Sequence, residues 1–431
     1  MQDLGIERIN ETPNSITFRH YIYLWLGQQT SLLGSIVVQF IITWWATITF
    51  RSALLLGIFS FIYFIPQVII TPVAGVYIDK WDKKKIIIIS DTTQAFLTFL
   101  LILAFYNDMM STFLGIFILI VVNTLRGFCQ AAHYPTLNAI IPLMIERNKL
   151  SRINGANSVM SEAIQILSPF LALILLSIYG IKNALWIDIF TYFVALTSIL
   201  LISIPQPPIS IEKKNNRSFY DDFKEGLKTI TSIQGILILI LLFMFLNFFI
   251  QPIIVLFPYF ITVFHEGTIF DYVFVSILFH SGFFLGGFIM IIKKKWKHHV
   301  LYIFLGVFIV MTCYLFLSLA PFRHFSYIGI LFLIMGLNIP ITNALFQTIL
   351  QSKVPRDKLG RIFSLYIGLS WLISPIGKII SGVLADIIGI AMLFFIFSVL
   401  GCVTTLMAYN AIKTKHIDSS LNCENISNTK N

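Results

Sequence analysis

The sequence predicts an all-α membrane protein of twelve transmembrane helices in two pseudo-symmetric six-helix bundles. Three observations predict it. The 431 residues are 57% hydrophobic and only 12% charged, outside the range of an ordinary soluble chain. The apolar residues gather into twelve continuous stretches, each near or above the ~20 residues a helix needs to cross a bilayer. The basic residues alternate. Of 30 Lys and Arg, 25 fall in every second connection or in the terminal tails, 3 (Arg51, Lys182, Arg323) in the intervening connections and 2 inside the stretches. Basic loops stay on the cytoplasmic side, so the pattern describes a multi-pass protein with both termini in the cytoplasm. Lys-, Ile- and Asn-rich usage is that of an AT-rich bacterial genome, so the membrane expected is the bacterial cytoplasmic membrane.

The first stretch, 21–48, follows a polar segment ending in Arg19 and His20; Trp25 near its inner end and Trp44 and Trp45 near its outer end fit interfacial belts. It is too long for a signal-peptide core, so no processing is expected. The second, 53–78, stops at Asp79-Lys80-Trp81-Asp82-Lys83-Lys84-Lys85, and the third, 86–106, starts behind those lysines. Stretches four and five, 112–137 and 152–179, flank Arg147, Lys149 and Arg152; the sixth is 183–204. The second half repeats the rhythm at 234–261, 272–292, 300–320, 326–350, 361–385 and 389–411, with Lys293–Lys295 and Lys353–Arg361 as its basic turns. These are unbroken runs of Ile, Leu and Phe, not the ten-residue alternation of an outer-membrane barrel. Helices satisfy their own backbone in lipid, so each run is read as a helix. Prolines within them (Pro66, Pro72, Pro135, Pro169, Pro252, Pro340, Pro375) are read as kinks.

The one long connection, 205–233, places Phe219, Phe223, Leu227 and Ile230 at helical spacing, an amphipathic cytoplasmic linker helix. It divides an N-terminal bundle, 1–204, from a C-terminal bundle, 234–413; a polar tail, 414–431, is expected to be disordered. The bundles share landmarks. Pro135-x-x-Asn138-Ala139, a basic turn and Ser168-Pro169 recur as Pro340-x-x-Asn343-Ala344, a basic turn and Ser374-Pro375. Such a repeat implies a two-fold axis along the membrane normal and a cavity between the halves near the midplane.

The loop after the second stretch reads Gly75-x-x-x-Asp79-Lys80-x-x-Lys83-Lys84. Gly75 permits close helix approach, Asp79 accepts hydrogen bonds at a helix junction, and the lysines face the cytoplasm. A charge cluster made in one conformation and broken in another works as a latch. With this loop between spans two and three, the chain resembles the major facilitator superfamily. Arg126-Gly127, His133-Tyr134-Pro135, Asn138-Ala139, Pro142 and Leu150, with Ser168-Pro169 beyond, resemble its macrolide-efflux and enterobactin-exporter branch, among the drug:proton antiporters. The counterpart loop after Gly287 has no Asp, and the Gly-Pro motif of the fifth span is reduced to Ser168-Pro169. The resemblance implies a secondary transporter, not an enzyme, that exports an amphipathic, macrolide-type compound by proton antiport with alternating access. A siderophore exporter, another small-molecule transporter or a non-transporting sensor are the alternatives.

Ionisable groups in the bilayer cost several kcal/mol unless paired or hydrated (roughly 2.5–3.5 on insertion scales), so they are the site candidates. Arg126 and Glu162 lie at similar depth on spans four and five and are expected to pair. Protonation of Glu162 would break the pair and couple transport; a static structural pair is the alternative. Asp188 is a third group assigned to coupling, with helix packing or an external gate as its other reading. Asp91 is expected to join Asp79, Lys80, Lys83 and Lys84 in the latch. Lys378, without an acidic partner at its depth in the second half, is expected to face the cavity, pair with Glu162 or snorkel to an interface. His133 and His280 are relay or packing groups. Gln28, Gln39, Asn123, Gln165, Asn247, Gln251, Asn338 and Asn343 are polar points that bond substrate or join helices.

Other chemistry is excluded on sequence grounds. No Gly-x-x-x-x-Gly-Lys-Ser/Thr loop is present, so ATP does not drive the protein. The four cysteines (Cys129, Cys313, Cys402, Cys423) have no metal or disulfide spacing, and no cofactor or metal is expected. The net charge of +10 is divided among loop ends, which topology explains without nucleic acid. The expected partners are a small-molecule substrate, a coupling proton and the bilayer, with the protein a monomer.

Overall fold

The computed structural model describes residues 15–78, 81–111, 113–146, 149–205, 230, 233, 235–293, 296–354 and 359–414. Among them all regular structure is helical. The helices are α1 (Ser15–Phe50), α2 (Ala53–Ile78), α3 (Lys83–Tyr106), α4 (Phe113–Met144), α5 (Leu150–Ala184) and α6 (Trp186–Leu200). They continue as α7 (Ile236–Phe264), α8 (Ile269–Ile292), α9 (His299–Ser318), α10 (Phe325–Lys353), α11 (Leu359–Ile388) and α12 (Ile390–Thr414). Ten of these twelve are long and apolar enough to cross a membrane by length and composition. The linker helix read at 219–230 lies outside the described residues except for Ile230, which is buried among side chains of α7 to α12.

Local chemistry sets the helix ends and breaks. Asp82 caps α3 by accepting from the backbone N–H of Lys84 at 2.9 Å and Lys85 at 3.3 Å, satisfying donors the first turn leaves free. Thr268 and Asp271 form a capping box at the start of α8. Gly180, at φ 67°, breaks the helical geometry near the end of α5, a left-handed backbone that glycine adopts without penalty. The seventh span is interrupted after Phe249, where Pro252 removes a helical N–H, and ends in a π turn over Phe260–Phe264.

Helices α1 to α6 pack as α2 on α4, α1 on α5 and α6, and α3 on α4 and α6. Helices α8, α9 and α10 pack together, as do α7, α11 and α12. The two groups meet along α2 against α11 and α5 against α8. The end of the bundle that carries Lys83, Lys84, Lys293 and Lys353 is the basic end. At the opposite end the groups are in direct contact: Phe40 stacks on Tyr272 with ring centroids 4.5 Å apart, and Trp44 packs on the core of the second group. There Gly57 and Gly382 let α2 and α11 touch. A Cβ at Gly57 would lie 3.0 Å from the carbonyl of Lys378, and one at Gly382 only 2.8 Å from that of Ala53.

Candidate functional site

A cavity of about 730 Å³ lies between the two helix groups. Ser35, Gln39 and Arg126 line its deep part, and Tyr21, Trp25, Ile141 and Asn157 line it at the basic end. Most of its polar wall comes from α1, α3, α4 and α5, while α8 and α10 contribute Phe283, Gly287 and Pro340. Trp25 is held by a hydrogen bond to Asn157, joining α1 to α5.

Two polar layers span the first group. In the layer nearer the basic end, His133 Nε2 lies 2.9 Å from Asp91 Oδ1, and Gln28 Nε2 donates to Asp91 Oδ2 at 2.9 Å. In the deeper layer, Arg126 Nη2 donates to Asp188 Oδ2 at 3.0 Å and to Thr98 Oγ1 at 2.6 Å. Thr98 and Ser35 in turn donate to the Asp188 carboxylate at 2.5 and 2.8 Å. Gly34 brings α1 close enough for this, because a side chain there would collide with Thr191 of α6. Gln28 and Ser35, Asp91 and Thr98, and Arg126 and His133 are each seven residues apart. Two helical turns put each pair on one face, about 10 Å apart along the axis.

The expected Arg126–Glu162 pair does not form. Arg126 pairs with Asp188, and the two are only 5% and 3% exposed. The reason is lateral: α4 packs on α2 and α3, whereas α5 packs on α1 and α8. Nor do the depths match: Arg126 stands 144 − 126 = 18 residues from the basic end of α4, and Glu162 162 − 150 = 12 residues from that of α5. Glu162 instead faces across the boundary to His280 of α8, with Oε2 and Nδ1 3.7 Å apart. Both atoms are buried and neither has a hydrogen bond. Asp91 also departs from expectation: it belongs to the polar layer with His133 and Gln28, and those bonds occupy its carboxylate. Lys378 lies against Phe64 of α2, its Nζ 5.0 Å from the ring centroid. It thus attaches α11 to α2 by a cation–π contact and lines neither this cavity nor a second one, of about 470 Å³, among α7, α8, α9 and α10.

Of the latch residues, Asp79 and Lys80 lie outside the described residues, and Gly75 falls within α2. Lys83 is buried and its Nζ donates to the carbonyl of Ile78 at 3.1 Å. Lys84 Nζ donates to the carbonyls of Leu200 and Ile202 at 3.2 and 2.7 Å. Both lysines therefore sit on helix C-terminal carbonyls, where a cation completes missing bonds and meets the negative dipole end.

Among the amide candidates, Gln28 and Gln39 line the first cavity, and Asn247 and Asn343 line the second. Asn123 and Asn338 bond to carbonyls of their own helices. Gln251 ties α7 to α11 through Ser374 at 3.2 Å. Gln165 lines neither cavity. Ser35 and Thr98 were not singled out from sequence. Their seven-residue spacing from Gln28 and Asp91 is the signal that marks them.

A layered set of ionisable groups beside a cavity of about 730 Å³ between two groups of membrane-length helices is the arrangement of a membrane transporter. The sequence model described as Major Facilitator Superfamily matches residues 24–377, and the chain belongs to that family. It is 28% identical over 368 residues to macrolide efflux protein A of Streptococcus pyogenes, covering 85% of this chain and 89% of that protein. It is 25% identical over 163 residues to the staphyloferrin A transporter of Staphylococcus aureus (strain NCTC 8325 / PS 47), covering 38% and 40%. A solved structure of the nucleoside transporter NupG superposes with a TM-score of 0.65 at 14% identity, covering 90% of this chain and 99% of that one. A bacterial homolog of the human lysosomal transporter Spinster gives 0.67 at 14%, covering 95% and 99%.

Proposed function

We propose that this transporter exports an amphipathic, macrolide-type compound across the bacterial cytoplasmic membrane in exchange for protons. The observation that carries the reading is Glu162: a carboxylate on the wall of the cavity, facing a histidine of the other half without a hydrogen bond between them. Such a group can exchange a proton or a cationic cargo at little structural cost. Arg126–Asp188 cannot play that part. A guanidinium keeps its charge, and neutralising Asp188 would leave it buried and unpaired, a cost of about 3–5 kcal/mol. We therefore assign that pair to holding α3, α4 and α6 in register, and the proton to Glu162.

With the basic end in the cytoplasm, as loop charge favours, the cavity admits cargo from inside. Rocking of 1–204 against 234–413 would close the basic end and part Phe40 from Tyr272 and Gly57 from Gly382. A proton arriving at Glu162 from outside would then displace the cargo and leave inside on the return stroke. The macrolide class rests on the streptococcal relative. An anionic siderophore suits the cavity less well. It would meet the carboxylates of Asp91 and Glu162, and the one guanidinium among the described lining residues is already bound to Asp188. A second reading places the proton on the Asp91–His133 couple, favoured by its 2.9 Å contact on the cavity wall.

The test is accumulation of a labelled macrolide in everted membrane vesicles energised by a proton gradient. Uncoupler-sensitive accumulation that Glu162→Gln abolishes supports the reading. Equal accumulation by the variant moves the proton to Asp91–His133, and none in the wild type removes the macrolide assignment.

A further inference from the structure

A second cavity, of about 470 Å³, lies inside the C-terminal helix group. Its wall is Phe, Ile, Leu, Met and Val from α7, α8, α9 and α10, with Asn247, His280, Thr342 and Asn343 as the polar members. Two of these are turned back on their own helices: Asn247 donates to the carbonyl of Phe243 at 2.8 Å and Thr342 to that of Ile339 at 2.9 Å. It is a half-open pocket rather than a closed void, with Ile254 of its wall 54% exposed, and its volume falls in the range of small-molecule pockets.

This cavity abuts the first. Phe283 lines both. His280 stands at its edge, and 3.7 Å away Glu162 belongs to the wall of the first cavity. The mouth between the cavities therefore carries a carboxylate oxygen that is buried and without a hydrogen bond. A site with one negative group at the mouth and an apolar chamber behind it is complementary to a molecule of matching halves.

We propose that the C-terminal cavity receives the apolar body of a bulky organic cation whose charged centre rests at the Glu162–His280 couple. This rests on the export reading above and names the part of the cargo that reading leaves unplaced. The charge lies within reach of the proton-exchanging carboxylate, while removal of the apolar body from water supplies affinity. Cargo in this position touches both helix groups, so closure of one on the other is felt at the ligand.

Tetraphenylphosphonium, a permanent cation with a bulky apolar body, is the probe. Binding to the purified full-length chain in lipid nanodiscs is measured for wild type and for Ile339→Trp, which fills the chamber from its wall. The expected result is a loss of tenfold or more in affinity. Because that variant could misfold, a second measurement uses Asn247→Cys. Saturating probe should slow its alkylation by N-ethylmaleimide at least fivefold, after subtraction of the wild-type thiol signal. Probe binding that is unchanged by Ile339→Trp and gives no protection at position 247 overturns the proposal and leaves the probe in the first cavity. A wild type that does not bind the probe overturns it as well. Protection at 247 that appears without probe when the protein is moved from detergent into nanodiscs would assign the chamber to a lipid tail and overturn the proposal. Uncoupler-sensitive export is read separately: export without protection sinks this proposal alone, and protection without export sinks the transport reading alone.

Discussion

The two helix groups share a helical plan but carry different chemistry. Within its membrane helices the N-terminal group holds Asp91, Arg126, His133, Glu162 and Asp188, arranged in two polar layers and one carboxylate facing outward to its partner. The C-terminal group holds an apolar chamber of about 470 Å³. In the register that aligns Pro135 with Pro340, an offset of 340 − 135 = 205, Arg126 falls on Leu331 and His133 on Asn338. Leu331 is packed in the apolar core, and Asn338 bonds to its own helix. Repetition of a backbone therefore does not require repetition of function. Ionisable groups are costly in lipid, and placing the paired polar layers in one half leaves room for an apolar chamber in the other, where His280 and Lys378 stand at its contacts with the first.

The largest expected effect comes from making the two halves alike at that position. Arg126→Leu or Asp188→Leu alone leaves one buried charge without its partner and should cost about 3–5 kcal/mol, read as a lower Tm in detergent. The double variant, which copies the Leu331 environment, should recover most of that loss. A double variant as unstable as the singles would show that the pair is more than a structural tie. Next, Gly382→Val crowds the α2–α11 contact, where an added Cβ would lie 2.8 Å from the carbonyl of Ala53. Overpacking of this kind costs about 1–3 kcal/mol. Spin-label distances across the end opposite the lysines should lengthen in this variant, and unchanged distances would mean that the halves do not close there. Lys84→Ala removes two bonds to helix-end carbonyls at 200 and 202. It should cost about 1 kcal/mol, whereas Lys85→Ala, whose side chain makes no such bond among the described residues, serves as the control.

The smallest effect is in the C-terminal half. His265, at the end opposite the lysines, is 1% exposed, and burial pushes its imidazole down to about 4. The unfolded chain takes up this proton near the ordinary value of about 6.5, and the folded protein only near 4. Stability should therefore fall as pH drops through that window and stay level above it. His265→Gln should flatten the Tm profile between pH 6.5 and 4, and an unchanged slope would move the effect to other groups.

The twelve helices were legible because lipid thickness turns composition into length, and loop lysines mark alternate ends. The ionic groups were legible one by one, since charge stands out in an apolar run. Their pairing was not. Residue counting along the sequence places Arg126 and Glu162 at similar depth, but which helices touch is decided by packing around the bundle, and that puts Asp188 beside Arg126 and His280 beside Glu162. The seven-residue rhythm of 28 and 35, 91 and 98, and 126 and 133 was present in the sequence and would have grouped Thr98 and Ser35 with the charges. The apolar chamber left no such mark. Its lining residues are the same Phe, Ile and Met that elsewhere face lipid, and only the fold separates a cavity wall from a membrane surface.

The most direct test of Glu162 as the proton-exchanging group is proton release on cargo binding. A macrolide is added to purified protein in weakly buffered detergent solution with a pH indicator, for wild type, Glu162→Gln and His133→Gln. The account predicts proton release in the wild type and in His133→Gln, and none in Glu162→Gln. Release that persists in Glu162→Gln and disappears in His133→Gln would contradict it and place the coupling on Asp91 and His133.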